Sequence, residues 1–288
     1  MYASVGLIAG ILDRWLLQIF CGSVQQGFFG LSYQIGAICF LFTNAMTPLI
    51  TREFAIAFSN HDLGQMAHLF RRYIPTLYAI AAYFACFIAV QADKVTFILG
   101  GNQYQEATLA VTIMAFYPIH QTYGQLSGSV FYATGQTGLY RNIGITGMLM
   151  GLPVTFFLIA PADMMGLNAG ATGLAIKMVL LQFIFVNVQL YFNTKLLKLP
   201  FMRYLLHQVS SVGILLVIAY VSTIAIDKFS GLEGKFIITF ILTGILYTAM
   251  VIGCSILLPQ FFGLTREDIS AIISKIRTYL NIQQKGEN

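Results

Sequence analysis

The chain has 288 residues, with 16 basic and 11 acidic side chains, so that charged residues make up 9% of it and hydrophobic residues 57%. A soluble globular domain carries about 25% charged residues, so this composition excludes a soluble globule, a disordered chain and a nucleic-acid-binding protein. Together with a mean hydropathy of +0.75, it predicts an all-α integral membrane protein.

Eight stretches are apolar over about the 20 residues that a helix needs to cross the hydrocarbon layer. In chain order they are 1–21, 28–51, 73–92, 106–133, 140–160, 170–192, 204–226 and 236–258. We therefore expect about eight transmembrane helices in a multi-pass membrane protein.

Basic residues are distributed unequally between the connections of these predicted spans. Eleven of the 16 lie in alternate connections and in the C-terminal tail, against three in the other connections. The positive-inside rule places the richer set in the cytoplasm. Both termini are then expected to be cytoplasmic.

The first predicted helix carries the adjacent residues Asp13 and Arg14. Neighbours in a helix point about 100° apart, so each needs a partner on another helix. Lys177, in the sixth predicted helix, lies at a similar depth. An Asp13–Lys177 pair would leave Arg14 for an anionic ligand; the alternative is a structural pair with an Arg14 side chain that extends to the interface.

The second predicted helix has a short polar stripe near its cytoplasmic end, made by Thr43, Asn44, Thr47 and Thr51, and Arg52 follows it. Such residues hydrogen-bond between helices in membranes, and this is the plainest interpretation. Asn44 and Arg52 are also candidates for contact with a polar substrate.

The fourth predicted helix is the most polar. Tyr117, Gln121, Gln125 and Ser129 recur every four residues and form one stripe, beside which His120 lies. We expect one face to pack and the other to meet water or substrate. His120 is either a proton carrier or a packed, hydrogen-bonded side chain.

Two further features of this helix predict its shape. Pro118 removes a backbone hydrogen bond to the Met114 carbonyl, which predicts a kink. Gly124 and Gly128 form a small-residue motif that permits close helix contact.

Two segments have the pattern of amphipathic helices on the membrane surface. One is the tail, residues 260–288. The other is the 52–72 connection, where Leu63, Met66 and Phe70 recur at helical spacing beside two arginines. The sequence contains no nucleotide-binding loop, metal motif or catalytic triad, so neither an enzyme nor a cofactor is predicted. The four cysteines are interpreted as small buried hydrophobic residues.

Five segments carry a resemblance to a known family. They are ILDRWLLQIFCGSVQQGFFGLSYQIG, NAMTPLITREFA, FILGGNQYQEATLAVTIMAFYPI, FYATGQTGLY and MMGLNAGATGLA, in this order over residues 11–175. The chain resembles the C-terminal half of the polysaccharide flippases, which belong to the multidrug/oligosaccharidyl-lipid/polysaccharide exporter superfamily.

The resemblance implies an architecture of two lobes of six helices around a cavity, with two extra helices at the end. Residues 1–192 would be the second lobe, 193–259 the two additional helices and 260–288 a cytoplasmic tail. The first lobe is absent from this sequence, so we expect the chain to be part of a larger or incomplete chain, to pair with a partner that supplies this lobe, or to form a homodimer.

The resemblance also implies a function in the bacterial inner membrane. The family moves undecaprenyl-pyrophosphate-linked oligosaccharides between leaflets for surface polysaccharides such as the O-antigen of lipopolysaccharide. The diphosphate would be attracted by three cations, Arg14, Arg52 and Lys177. The sugar hydroxyls would bind polar side chains, namely Asn44, Tyr117, Gln121 and Gln125. The lipid tail would stay among membrane lipids.

Three alternatives remain open. A multidrug or cation antiporter of the same superfamily would place acidic residues in its cavity, where Asp13 is the clear intramembrane carboxylate. A membrane glycosyltransferase or polymerase would need catalytic carboxylates, and the acidic residues outside the spans are scattered. A non-transporting assembly partner is the third.

Overall fold

The computed structural model describes residues 2–229 and 236–264, together with Arg266, Glu267, Ser270 and Ser274, and the side chains from Ser4 onwards. It is 90% helical, and no strand occurs among the described residues. The α-helices are α1 (Tyr2–Ile38), α2 (Leu41–Ser59), α3 (Leu63–Val90), α4 (Ala92–Gly100), α5 (Thr108–Met114), α6 (Tyr117–Ala133), α7 (Thr137–Ile159), α8 (Gly170–Leu196), α9 (Phe201–Phe229) and α10 (Phe236–Leu257). Short 3-10 turns cover Asn102–Ala107, Ala162–Met164 and Pro259–Phe262.

Within the described parts of the chain, six helices are long and apolar enough to cross a membrane. They are Ser4–Ile38, Leu63–Val90, Thr137–Ile159, Gly170–Leu196, Phe201–Lys228 and Phe236–Leu257. Large apolar side chains on their outer faces are exposed, including Leu7, Ile11, Trp15 and Val217. Water would penalise so much contiguous apolar surface, whereas lipid does not. The multi-pass helical membrane architecture is therefore confirmed, but the count of about eight spans is not.

The predicted span 1–21 ends where α1 is interrupted, whereas the predicted span 28–51 is divided between two observed helices. Gly22 has φ +86° and ψ 173° inside α1, a conformation that only glycine adopts without strain. The Arg14 guanidinium carbon lies 5.4 Å from the centroid of the Tyr33 ring, whereas a straight helix would separate these residues by about 28 Å. The chain therefore folds back at Gly22, so Ser4–Ile38 is two helices joined at this glycine rather than one straight span. A second interruption, at Cys39 and Phe40, divides the predicted span 28–51 between α1 and α2.

The predicted span 106–133 is also divided, at the place where Pro118 predicts a kink. The helix ends at Met114 and restarts at Tyr117, with Pro118 in the first turn of α6. A Cβ at Gly36 would lie 3.1 Å from the Met114 carbonyl oxygen. Gly36 therefore lets the second half of α1 pack closely against this break.

The prediction of a surface helix in the 52–72 connection is wrong. α2 continues to Ser59, and α3 begins at Leu63, where the Asp62 carboxylate accepts a hydrogen bond of 2.7 Å from the Gln65 backbone N–H. Met66 and Phe70 are completely buried. This segment is the first two turns of a long membrane helix, because its apolar face packs in the core rather than against the membrane surface.

α3 is the most buried of the long helices. Its inner faces carry small residues that permit close approach, among them Ala79, Ala82, Ala85 and Ala89. It packs against α2, α6 and α9. Most of the predicted amphipathic tail, residues 260–288, lies outside the described residues, and so does the loop 230–235. The predicted division at 192–193 falls near the end of α8, and the domain scheme stays a prediction.

Candidate functional site

The ion pair between Asp13 and Lys177 is present. Lys177 Nζ lies 2.5 Å from Asp13 Oδ2, and Thr155 Oγ1 donates a 2.7 Å hydrogen bond to Asp13 Oδ1. The two charged residues are 6% and 7% exposed. Burial of a charge is strongly unfavourable unless a partner neutralises it. Asp13 and Lys177 therefore neutralise each other at the contact between α1, α7 and α8, and neither is exposed to a ligand.

Gly151 on α7 makes room for this pair. A Cβ at this position would lie 3.0 Å from Cε and 3.2 Å from Nζ of Lys177. Both distances are shorter than ordinary van der Waals contact. The absence of a side chain at Gly151 therefore allows the lysine to reach across to α1.

Arg14 has the opposite environment, although it is the next residue along the chain. Its side chain is exposed, and its guanidinium lies over the Tyr33 ring. This cation–π contact fixes the guanidinium without neutralising its charge. Tyr33 was not among the residues expected to line a pathway, since its distance in sequence from Arg14 gives no signal that the two meet.

The aromatic surface continues from Tyr33 to the start of α6. The ring centroids of Tyr33 and Tyr117 lie 6.2 Å apart, at an interplanar angle of 41°. Tyr33 also lies 6.2 Å from Phe29. The hairpin at Gly22 therefore brings Arg14, before the turn in α1, to Tyr33, after the turn. Tyr33 in turn contacts Tyr117 of α6.

The polar stripes of α2 and α6 bond to each other. Thr43 and Thr122 hydroxyls lie 2.9 Å apart, and Thr51 and Ser129 hydroxyls 2.7 Å apart. Thr47 Oγ1 lies 3.0 Å from Oε1 of Gln125. The expectation that one face of α6 is left for water or substrate is wrong for this part of the stripe, because α2 occupies it.

One end of this ladder of hydrogen bonds remains accessible. Gln125 Nε2 donates a 3.0 Å hydrogen bond to Asn44 Oδ1, and Asn44 is exposed while Gln125 is half-buried. Pro48 and Arg52 follow Asn44 at intervals of four residues and are exposed as well. One exposed face of α2 therefore carries both the Asn44 amide and the Arg52 guanidinium.

Gln121 and His120 face other helices. The Gln121 side-chain oxygen accepts a hydrogen bond from Gln182 of α8, a partner that the sequence shows only as one more polar residue in a span. The His120 ring packs against Phe183, at 5.0 Å between centroids, and against Tyr78, at 6.3 Å. Nδ1 of His120 has no hydrogen-bond partner among the described residues. This geometry favours the packed interpretation of His120.

The close-contact motif of α6 is confirmed. A Cβ at Gly124 would lie 3.0 Å from Val186 of α8, and one at Gly128 would lie 3.2 Å from the Tyr140 ring of α7. Both neighbours are side chains of facing helices. The two glycines therefore hold α6 against α7 and α8, as small residues do in membrane helix pairs.

Arg14, Tyr33 and Tyr117 form one cluster of contacts, and Gln125 and Asn44 form a second, eight residues further along α6. These five residues together are called the Arg14 track. It offers one cation, aromatic faces and hydrogen-bonding groups, which suits a ligand with both an anionic and a hydroxyl-rich part. Among the described residues there is no group of three or more histidine, cysteine, aspartate or glutamate side chains that could hold a metal ion.

Compared with protein-family models, curated proteins and solved structures, the chain matches none. The membership in a flippase family that five sequence segments indicate therefore stays a prediction, and the function rests on the geometry of the Arg14 track.

Proposed function

We propose that this chain forms part of a membrane pathway for an undecaprenyl-pyrophosphate-linked oligosaccharide, which it helps to move between leaflets of the bacterial inner membrane. The observation that carries the proposal is that Asp13 and Arg14 differ in whether another side chain neutralises their charge. Lys177 neutralises Asp13, whereas Arg14 keeps its charge on an exposed surface over the Tyr33 ring. A cation in this position is costly in hydrocarbon unless a ligand or water meets it.

The Arg14 track matches the chemistry of such a substrate in two respects. A guanidinium donates paired hydrogen bonds to phosphate oxygens, and Arg14 supplies one. Sugar hydroxyls need donors and acceptors that replace water, and Gln125, Asn44 and Tyr117 carry both. A polar headgroup on this path would avoid the hydrocarbon that otherwise excludes it, while its lipid tail would remain in the bilayer.

The proposed orientation has both termini in the cytoplasm. Arg71, Arg203 and Arg266 lie together at one end of the bundle. Lys94 lies 3.6 Å from Asp227, which is at the opposite end of α9 from Arg203. This grouping of cations supports the positive-inside orientation. A first lobe, in the same protein or on another chain, or a second copy of this chain, would supply the facing wall of the pathway.

The cation antiporter is less well supported. Such a transporter needs a carboxylate that meets its cation, and both oxygens of Asp13 are occupied by Lys177 and Thr155. The same geometry supports an anionic substrate, because the exposed partner of the Asp13–Arg14 dipeptide is the arginine.

Binding of undecaprenyl diphosphate to the purified chain tests the proposal. The protein would be placed in phosphatidylcholine nanodiscs, and affinities for undecaprenyl diphosphate and for uncharged undecaprenol would be compared by native mass spectrometry. We expect the diphosphate to bind more tightly. A hydrogen bond to a charged group contributes about 1.5–3 kcal/mol, so Arg14→Ala should weaken diphosphate binding about tenfold to a hundredfold.

Two variants control this measurement. Arg14→Lys keeps the charge but loses the planar pair of donors, so it should fall between the wild type and Arg14→Ala. Arg141→Ala removes another exposed arginine, which contacts Asn142, and should bind like the wild type. Equal affinity of Arg14→Ala and wild type for the diphosphate would contradict the proposal.

A further inference from the structure

A second basic cavity lies at the end of the bundle where α3 and α9 begin and α10 ends. Its volume is about 820 Å³, and it is lined by Arg71 and Arg72 of α3, by Arg203 and His207 of α9, and by residues that follow α10. It is called the Arg71 pocket. It shares no residue and no helix with the Arg14 track, so its ligand is a separate question from the proposed pathway.

Basic side chains outnumber acidic ones among the described residues that line the Arg71 pocket. Arg266 also lines it, which makes four arginines, while Glu267 is the one carboxylate among the lining residues that the structure describes. Like charges this close repel one another unless counter-charges are present. The lining therefore favours a ligand that brings negative charge.

The wall that follows α10 is firmly held. Gly263 has φ +66°, and a Cβ there would lie 2.6 Å from the Thr76 backbone nitrogen and 2.7 Å from the Pro75 carbonyl carbon. Thr76 Oγ1 lies 3.0 Å from the Gly263 carbonyl oxygen. Only glycine fits this approach to α3, so this wall of the cavity is held against α3.

His207 lines this cavity, and its two ring nitrogens have different surroundings. Ser211 donates its hydroxyl proton to the Phe261 carbonyl oxygen at 2.5 Å, so His207 Nε2, 3.2 Å from the same hydroxyl oxygen, acts as the donor there. His207 Nδ1 is buried with no hydrogen-bond partner among the described residues.

The rim of the cavity indicates where the ligand comes from. Leu257 lines it and is 78% exposed, on a helix long and apolar enough to cross a membrane. A ligand bound by the arginines can therefore lay an apolar tail over this rim and into lipid. Basic pockets between membrane helices are known binding places for anionic lipid headgroups.

We propose that the Arg71 pocket binds a phosphate-bearing anion, and that this anion is the headgroup of an anionic phospholipid from the adjacent leaflet. Its arginines bind the phosphate oxygens, and Leu257 contacts the acyl chains. A soluble phosphate ester offers the same headgroup chemistry without the tail, so the two sources are separable by experiment.

The test uses the whole purified chain and two lipids. Dioleoylphosphatidylglycerol and dioleoylphosphatidylcholine would be titrated onto the protein in detergent at low ionic strength and counted by native mass spectrometry. Anionic lipids lose about fivefold in affinity for each basic residue removed at a membrane surface. We therefore expect the wild type to prefer phosphatidylglycerol, and Arg71→Ala combined with Arg203→Ala to bind it at least about tenfold more weakly.

Matched variants separate this site from general charge and from the pathway. Arg141→Ala combined with Lys195→Ala removes the same charge from exposed positions elsewhere and should leave phosphatidylglycerol binding unchanged. Arg14→Ala should also leave it unchanged, which distinguishes failure here from failure of the proposed function. Glu267→Gln removes the opposing charge and should tighten binding severalfold, a result that holds even if the double arginine variant does not fold.

The remaining outcomes are equally decisive. Glycerol 3-phosphate at millimolar concentration should not displace phosphatidylglycerol; displacement would keep the phosphate chemistry but overturn the lipid source. Equal binding of both lipids by the wild type, with no binding of glycerol 3-phosphate, would overturn the proposal. So would unchanged phosphatidylglycerol affinity in Glu267→Gln.

Discussion

The contact between α2 and α6 and the contact between α3 and α10 join helices by different chemistry. The first is a ladder of hydroxyl and amide groups, in which Thr43 meets Thr122 and Thr51 meets Ser129. The second is a stack of rings, in which the Tyr247 ring lies 5.0 Å from that of Tyr83, at an interplanar angle of 18°. Lipid tails are as apolar as leucine, so both contacts depend on packing and hydrogen bonds rather than on the hydrophobic effect.

The difference shows which contact can also serve a ligand. The α2–α6 ladder ends in the exposed Asn44 amide, which bonds to Gln125 and still faces outwards. The α3–α10 stack uses its polar atoms internally: the Tyr83 hydroxyl meets that of Thr248 at 2.6 Å, and the Tyr247 hydroxyl donates to the Tyr83 carbonyl oxygen. The polar contact both joins helices and carries the exposed Asn44 amide, whereas the aromatic contact keeps its polar atoms between the helices and borders a mostly apolar cavity of about 570 Å³.

The largest expected effect concerns the ion pair beside the Arg14 track. Asp13→Ala leaves Lys177 buried without a counter-charge and should lower the free energy of unfolding by about 3–5 kcal/mol. Thermal unfolding in detergent would measure it. Asp163→Asn, in the exposed loop after α7, is the control. Adding Lys177→Met to Asp13→Ala should restore most of the loss; a double variant no more stable than Asp13→Ala would contradict this account.

A smaller loss of stability is expected when the space that Gly151 leaves for Lys177 is filled. Gly151→Ala places a Cβ 3.0 Å from the lysine, and overpacking of this kind costs about 1–3 kcal/mol. Gly138→Ala, in the same helix, meets no atom within 4 Å and should have little effect on the unfolding temperature. If both variants unfold at the same temperature, the space at Gly151 does not matter for the pair.

Removal of one hydrogen bond from the α3–α10 contact should lower the free energy of unfolding by less than either change at the ion pair. Tyr247→Phe keeps the stack and deletes the 2.9 Å bond to the Tyr83 carbonyl oxygen, which should cost about 1 kcal/mol. The exposed Tyr220→Phe in α9 is the matched control. A loss as large as that of Asp13→Ala would mean that the hydroxyl, and not the stack, joins α3 to α10.

The smallest effect is expected from one rung of the polar ladder. Hydrogen bonds between membrane helices contribute about 0.6 kcal/mol on average, so Thr43→Val or Thr122→Val alone should cost little. A double-mutant cycle isolates their coupling, which should be favourable and below about 2 kcal/mol. Thr223→Val, whose hydroxyl bonds to Gln91, is the control that should not couple to Thr43. Zero coupling between Thr43 and Thr122 would remove the ladder as a source of α2–α6 affinity.

Much of the local structure follows from the sequence. Composition and long apolar stretches determine the helical membrane class, because only helices satisfy their own backbone groups in hydrocarbon over such lengths. Pro118 determines the break in the fourth segment, since a missing N–H and a ring clash act locally. Depth along the helices was enough to predict the Asp13–Lys177 pair, because a buried charge requires a partner at its own level.

Only the tertiary structure decided which polar faces meet. Periodicity determines the side of a helix on which Gln125 lies, but its partner Asn44 is 81 residues away, and nothing in either stripe identifies the other. The hairpin at Gly22 brings Arg14 to Tyr33. The sequence does not determine this contact either, because a glycine permits a reversal of the chain without requiring one. The buried Met66 and Phe70 make the same point: an amphipathic face fits the membrane surface or the protein core equally well, and the neighbouring helices decide between them.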